Sequence, residues 1–477
     1  MPADDGRDIV VVSDLHLSAG YDERSGTYSR NEDFFYDGAF ARFLAHLEGR
    51  ARSEGRRWRL VILGDLFDFL QVELDPPPRA DQELDTSEAT TLRKLDRIAS
   101  GHAEFFAALG RFAAGGFPVD VVVGNHDIEL IRPATQRRLV ELVVALSGRP
   151  EAAESIAFYP WIYFVPGVLY AEHGHQYDDV NSFPTQLEPS LGGDPDRIDL
   201  PLGSYFVGYL FNRIEAIDPF ADNVKPATSY LLWALETHPV RVVWTLGAHL
   251  RLLVAVLMRS RDVAPPEWRA RRARYHQGTL ARYARSVGLR HETVVAIDRL
   301  AAIPAMTSKR RQLRALLLRP IVRFLPPLAA LLAVYTAVGR LGQGPRSFAL
   351  FAAGVAGLLL RERRALRPAT EEAGYLHRAA LRIHALLAGE GKAVLAYVFG
   401  HSHTAEQFPL TKADRPPHYL NSGTWTPRVP AAFALLGGRE QFAFVQVTRP
   451  PDRPPLVRLM VWNDVATRPE PLPLLST

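Results

Sequence analysis

His401 and His403 stand two residues apart in VFGHSHT, after an apolar run that begins at Ala393. Two neutral imidazoles this close can reach one metal ion or two adjacent ones if the backbone turns sharply after the strand, and Gly400 is the residue expected to permit that turn. An isolated histidine pair usually settles into ordinary hydrogen bonds, so the chemistry depends on what else the chain supplies. It supplies Asp14 and His16 in SDLHLS, Asp65 and Asp68 in GDLFDFL, Asn125, His126 and Asp127 in GNHDIEL, and His173 and His175 in EHGHQYD. Five successive clusters of carboxylates and imidazoles match what a pair of divalent cations needs: a carboxylate between the ions and neutral nitrogen donors around them.

Each cluster follows a short apolar strand, at 9–12, 60–63, 119–123, 168–171 and the run ending at Phe399. Between the strands, 37–51 and 91–116 repeat their apolar residues near a 3.6 period and read as helices. Strand and helix alternate, which predicts an α/β layered fold with covered sheet faces and ligands outside the carboxyl ends of its strands. Between His175 and His401 lies an interval of about 225 residues with much helix signal, too long for a connection. The expected organisation is therefore a core in two parts, 1–180 and 393–477, interrupted by a helical insertion at 181–392. Strand-like text returns at 418–428 and 440–449.

The chain has 477 residues, 47% hydrophobic and 23% charged, which sets disorder aside. It has no cysteine, so disulfides, thiolate metal sites and thiol nucleophiles are excluded, and any metal must sit among oxygen and nitrogen donors. The start, MPADDGRDIVVVSD, goes straight into a strand with no leader pattern, which predicts a cytoplasmic catalytic part. Net charge is only +4, yet basic residues cluster at 259–276 and 309–323, a pattern suited to phosphate-bearing partners. Residues 228–260 read as long apolar helices, and 320–360 as an apolar hairpin about RLGQGPR. The second limb of that hairpin would be roughly 21 Å long, short of a ~30 Å hydrocarbon core, so a re-entrant or interfacial hairpin fits better than two spans. Packing in a soluble core is the competing interpretation. Basic flanks would meet anionic headgroups on the inner face of the cytoplasmic membrane.

The blocks DLH, GDLFD, GNHD, HGH and GHSH, in this order, resemble the calcineurin-like metallophosphoesterases; the resemblance covers roughly 1–180 and 395–450. It implies a layered β-sandwich flanked by helices, with the large insertion outside it. It further implies one metal held by Asp14, His16 and His403, a second by Asn125, His173 and His401, and Asp65 bridging both. Two divalent ions are expected, Mn first with Fe or Zn as alternatives, activating water for in-line attack at phosphorus. His126 would stabilise the transferring group or protonate the leaving oxygen, with Asp127 orienting its ring. Asp68 would support a ligand, and His175 would contact substrate or make a structural hydrogen bond. Asn421 in LNSGTW belongs to a turn that closes the site.

Within the superfamily, GDLFDF followed by HG and GHSH is similar to the branch that cleaves UDP-diacylglucosamine. That branch commonly carries arginine where this chain has His126. The insertion favours a lipid-linked phosphate or pyrophosphate as substrate at a membrane surface. A soluble nucleotide or protein phosphatase, a nuclease suggested by the arginine clusters, and a non-catalytic metal-binding scaffold are the alternatives; no nucleic acid is expected as partner. His46, His102, His238, His249 and His384 lie in helical text without a partner cluster and read as ordinary.

Overall fold

DIVVV, Asp8–Val12, is buried along its whole length and points its side chains alternately to two different cores. That is the position of a strand covered on both faces. The computed structural model describes residues 5–74, 84–191, 194–208, 212, 266–315, 374–426, 442–450 and 452–472. Its principal strands are β1 (Asp8–Val12), β2 (Trp58–Leu63), β3 (Val119–Val122), β4 (Ile156–Tyr159), β5 (Tyr163–Val165) and β6 (Leu169–Ala171). Then follow β7 (Ala396–Phe399), β8 (Glu406–Pro409), β9 (His418–Asn421), β10 (Ala443–Thr448), β11 (Leu456–Asn463) and β12 (Arg468–Pro471).

These strands form two sheets. The larger has the order β12-β11-β10-β1-β2-β3-β4, with β1 to β4 parallel and β10 to β12 added antiparallel. The smaller has the order β8-β9-β7-β6-β5, with β7 parallel to both neighbours. Ile9, Val11, Val61, Leu63 and Val122 of the larger sheet pack against Val165, Leu169, Ala171, Ala396 and Val398 of the smaller one, so the sheets lie face to face.

Helices close both outer faces. The larger sheet is covered by α1 (Asp37–Glu54), α2 (Glu88–Gly101), α3 (Ala103–Ala114) and α4 (Pro133–Ser147), through Phe40, Leu95, Phe105 and Leu139. The smaller sheet is covered by α5 (Pro266–Val287), α6 (His291–Asp298) and α7 (Tyr375–Gly389), through Leu280, Val294, Leu376 and Ile383. The architecture is a layered α/β/β/α sandwich, as the resemblance implied, but its helical layer on the smaller sheet, α5 to α7, comes from the 181–392 segment that was expected to lie outside it. Its helix ends carry ordinary local signals: Ser87 accepts from Thr90 N at the start of α2, Pro133 opens α4, and α1 and α4 stop at Gly55 and Gly148 in the left-handed conformation.

The helix read at 91–116 is two helices. Gly101 lies so close to the loop after β1 that a Cβ there would sit 2.1 Å from Ala19 O, and the chain breaks at His102. His102 is buried between two carboxylates, Nε2 3.3 Å from Glu32 Oε2 and Nδ1 3.1 Å from Asp37 Oδ1. It therefore has the partner cluster that helical text did not reveal. Burial alone would lower its pKa, but the bonds and charges of Asp37 and Glu32 outweigh that and raise it to about 9. Since the folded value exceeds the unfolded one, near 6.5, the stabilisation is fully present below pH 6.5 and is lost as pH rises through about 9. Urea unfolding should show His102→Leu losing a few kcal/mol at pH 6 and much less at pH 10; equal losses at both pH values would sink this assignment.

Among the described residues no helix is long and apolar enough to cross a membrane. The apolar segments at 228–260 and 320–360, with His238 and His249, lie outside the described residues. Of the basic clusters, Arg272 on α5 is buried and serves the fold, bonding Thr185 Oγ1, Asp199 Oδ2 and Glu188 O. His46 rests against the Trp462 ring and His384 against Tyr397 OH, both ordinary.

Candidate metal centre

The five clusters all fall just beyond β1, β2, β3, β6 and β7, and backbone bonds tie their loops together. Leu15 N and His16 N both donate to Asp65 O at 2.9 Å, His126 N donates to Asp65 Oδ1 at 2.9 Å, and Gly400 N donates to His173 O at 3.0 Å. His401 N lies 3.1 and 3.0 Å from the two carboxylate oxygens of Asp14. Asp14, His16, Asp65, His401 and His403 all have φ between 51° and 67°. That left-handed region costs a non-glycine residue on the order of 1–3 kcal/mol, and strain concentrated on five donor residues marks a functional cluster.

Gly400 has a role other than the expected one. The positive φ falls on His401, whereas a Cβ at Gly400 would lie 2.6 Å from Asp14 Oδ2. Gly124 is constrained likewise, since its Cβ would be 2.1 Å from Asp65 Oδ1. Both glycines admit a carboxylate against the backbone.

Three sets of side chains bring donor atoms within 4.8 Å of one another: Asp14, His16 and His403; His16, Asp65 and His126; and Asp65, His173 and His401. His403 Nε2 is 3.3 Å from Asp14 Oδ1 and 3.1 Å from His16 Nε2. Asp65 Oδ2 stands between the outer sets, 3.0 Å from His173 Nε2 and 3.8 Å from His16 Nε2. Asn125 Oδ1 joins at 3.2 Å from His173 Nε2, whose other nitrogen is fixed by Leu63 O at 2.9 Å. Asn421, which bonds Gly400 O and Ser402 Oγ, braces the last cluster, as its turn position led one to expect.

The electrostatics suit cations. Burial raises the Asp14 carboxyl, but the neighbouring histidines, His403 foremost, bring it down to about 2. Asp65, equally buried, is held well below the ordinary carboxylate value by His173 and His126. His173, which burial would push down, is raised to about 9 by the Asp65 carboxylate. Among the described residues no lysine or arginine forms an ion pair with Asp14, Asp65 or Asp68. Buried carboxylates and imidazole nitrogens converging on one another, without sulfur, fit hard divalent cations.

Asp127 does not serve His126. Its two oxygens accept from Gly124 N and Leu66 N, both at 2.7 Å, and so staple the second and third loops together. Burial, then repulsion from Asp65, raise its pKa to about 7. The carboxylate on His126 is that of Asp68, 2.6 Å from Nδ1; Asp68 also lies 3.7 Å from His16 Nδ1. His175 is fully buried between His173 and Phe183, and burial lowers its pKa well below the ordinary value. Sequence reasoning missed Ser13, whose hydroxyl bonds Asp14 Oδ2 at 2.5 Å, and Asp178, 3.4 Å from His401 Nε2.

A layered sandwich with carboxylates and imidazoles gathered beyond its strand ends is a setting for metal-dependent chemistry. The family model for calcineurin-like phosphoesterase matches residues 7–249, just over half of the 477, and the chain belongs to that family. No curated protein matches the chain. The matched residues stop before His401 and His403, which join the cluster through the pairing of β7 with β6.

Proposed function

We propose that the centre takes two divalent ions, Mn first with Fe or Zn as alternatives. Asp14, His16 and His403 would serve one and Asn125, His173 and His401 the other, with Asp65 shared. The observation that carries this is the position of Asp65, which shares one donor set with His173 and His401 and another with His16 and His126, while His16 also belongs with Asp14 and His403. Ions bound there supply Lewis-acid stabilisation of phosphoryl oxygens and lower the pKa of water. The chain's own part is to hold His126 beside them. Its Nδ1 is taken by Asp68, which directs Nε2 toward a leaving oxygen, and its side chain is 18% exposed, open to substrate.

For the substrate we favour a lipid-linked phosphate or pyrophosphate at the cytoplasmic face of an anionic membrane, with the stretch from Lys309 through the apolar 320–360 sequence, inside 181–392, as the docking element. Lys309, Arg310, Arg311 and Arg314 are exposed and form no ion pair with another described residue. They lead directly into the apolar sequence that starts at Ala315. Cations beside an apolar segment suit an anionic lipid surface.

Flotation with phosphatidylcholine vesicles, with and without phosphatidylglycerol, tests this. The wild type should float only with the anionic lipid, and replacing the four cations by serine should weaken binding by up to roughly 10³-fold, at about 1 kcal/mol per charge. Hydrolysis of a soluble aryl phosphodiester should not change. Flotation indifferent to phosphatidylglycerol and to the four substitutions would overturn the membrane reading and leave a soluble phosphoester as substrate.

A further inference from the structure

Five residues beyond His173, Asp178 is placed by contacts from three directions. Its Oδ1 accepts from Val180 N at 3.0 Å, while Oδ2 accepts from Asn181 Nδ2 at 2.9 Å and faces His401 Nε2 at 3.4 Å. The first two contacts fix the carboxylate within its own turn, as an Asx turn does. The third reaches across to a histidine of the metal cluster from a residue that no donor set contains.

The turn carrying Asp178 is itself held from outside the two sheets. Ala302 N donates to Gln176 O at 2.8 Å and Ala305 N donates to Asp179 O at 2.7 Å, one bond on each side of Asp178. On the preceding side, Gly174 has a φ of 103°, and a Cβ there would meet Leu376 of α7 at 2.8 Å. Segments from the long interval between β6 and β7 thus clamp this turn against His401.

An imidazole has two nitrogens, and the partner of one decides which is offered to a metal. We propose that Asp178 is a positioning residue for His401: its carboxylate engages Nε2, so that Nδ1 is presented to the ion shared with Asp65 and His173, and the 302–305 segment holds that carboxylate in place. The proposal rests on the two-ion reading of the centre. It gives the interval between β6 and β7 a function at the chemistry itself, because displacing 302–305 would release Asp178 and loosen one ion.

The test is Mn²⁺ titration of metal-stripped, full-length protein, followed by calorimetry and by electron paramagnetic resonance, with no substrate present. Wild type should take up two ions and show a spin-coupled signal. Asp178→Asn should keep one ion tight, bind the other about 10- to 100-fold more weakly, and show an uncoupled signal at one equivalent. Asp178→Ser, whose hydroxyl can still accept from Val180 N but cannot reach His401, should do the same, guarding against a simple folding defect. Adding Asp178→Asn to His401→Ala should weaken binding no further than His401→Ala alone. Two tight ions with a coupled signal in either Asp178 variant would overturn the inference while leaving the two-ion centre intact. A wild type binding fewer than two ions would overturn both.

Discussion

Asp65→Asn should lower metal-dependent hydrolysis of an aryl phosphodiester by about 10³-fold or more, equivalent to some 4 kcal/mol of lost transition-state stabilisation. The amide is nearly isosteric and its oxygen can still accept from His126 N, so the loops should remain in place. What it removes is the one carboxylate that belongs to two of the donor sets, with His16 in one and with His173 and His401 in the other. Two readouts separate this from unfolding. In the metal-free protein the Asp65 charge is what raises His173 to about 9 against its burial; without that charge, burial prevails and the value should fall, visible in the imidazole NMR titration. The metal-free variant should melt somewhat below wild type but still in one cooperative transition, because the Asp65 carboxylate, held well below its ordinary value by His173 and His126, contributes stability near neutral pH. The rise in melting temperature on adding Mn²⁺ should disappear. A variant that keeps wild-type activity would sink the shared-carboxylate assignment.

The donor cluster was legible because each of its members follows a short apolar strand, and strand ends are where a layered fold collects its ligands. What spacing cannot show is which of two nearby carboxylates a histidine meets. Asp127 adjoins His126 in sequence, yet the turn after β3 sends its oxygens to backbone amides, and Asp68, from the neighbouring loop, takes the imidazole. Asp178 was hidden for the same reason. Its partner lies 223 positions away, and only the parallel pairing of β7 with β6 brings the two blocks together.

Edge elements were equally hard to read. Arg468–Pro471 is RPEP, two prolines in four residues, and it forms a strand only because an edge position leaves one side unpaired. The break between α2 and α3 follows from the close approach of Gly101 to the loop after β1, a tertiary demand that helical periodicity overrides in sequence. The strain at Asp14, His16, Asp65, His401 and His403 is not announced by residue type alone, since the other described aspartates and histidines have no positive φ.

His126→Ala should lower kcat by roughly 10²–10⁴-fold while leaving both ions bound and KM little changed. His126 lies in one donor set, with His16 and Asp65, but Asp68 takes its Nδ1, and its ring crosses that of His16 nearly at right angles, 4.7 Å between centroids. On the proposed reading, Asp68 holds His126 on the substrate side of the ions rather than as a ligand. The leaving group decides between its two possible actions. If it protonates the departing oxygen, the loss should be large for an alkyl phosphoester, whose alkoxide needs the proton, and small for a nitrophenyl ester, whose phenolate does not. If it only stabilises charge on the transferring group, both esters should suffer alike. Asp68→Asn is the less discriminating variant, because Asp68 lies near His16 as well as His126 and its loss would disturb a donor set together with the acid. Bound Mn²⁺ measured beside kcat makes the distinction: an alanine variant that loses an ion along with its activity would move His126 from the substrate side of the centre to the metal side.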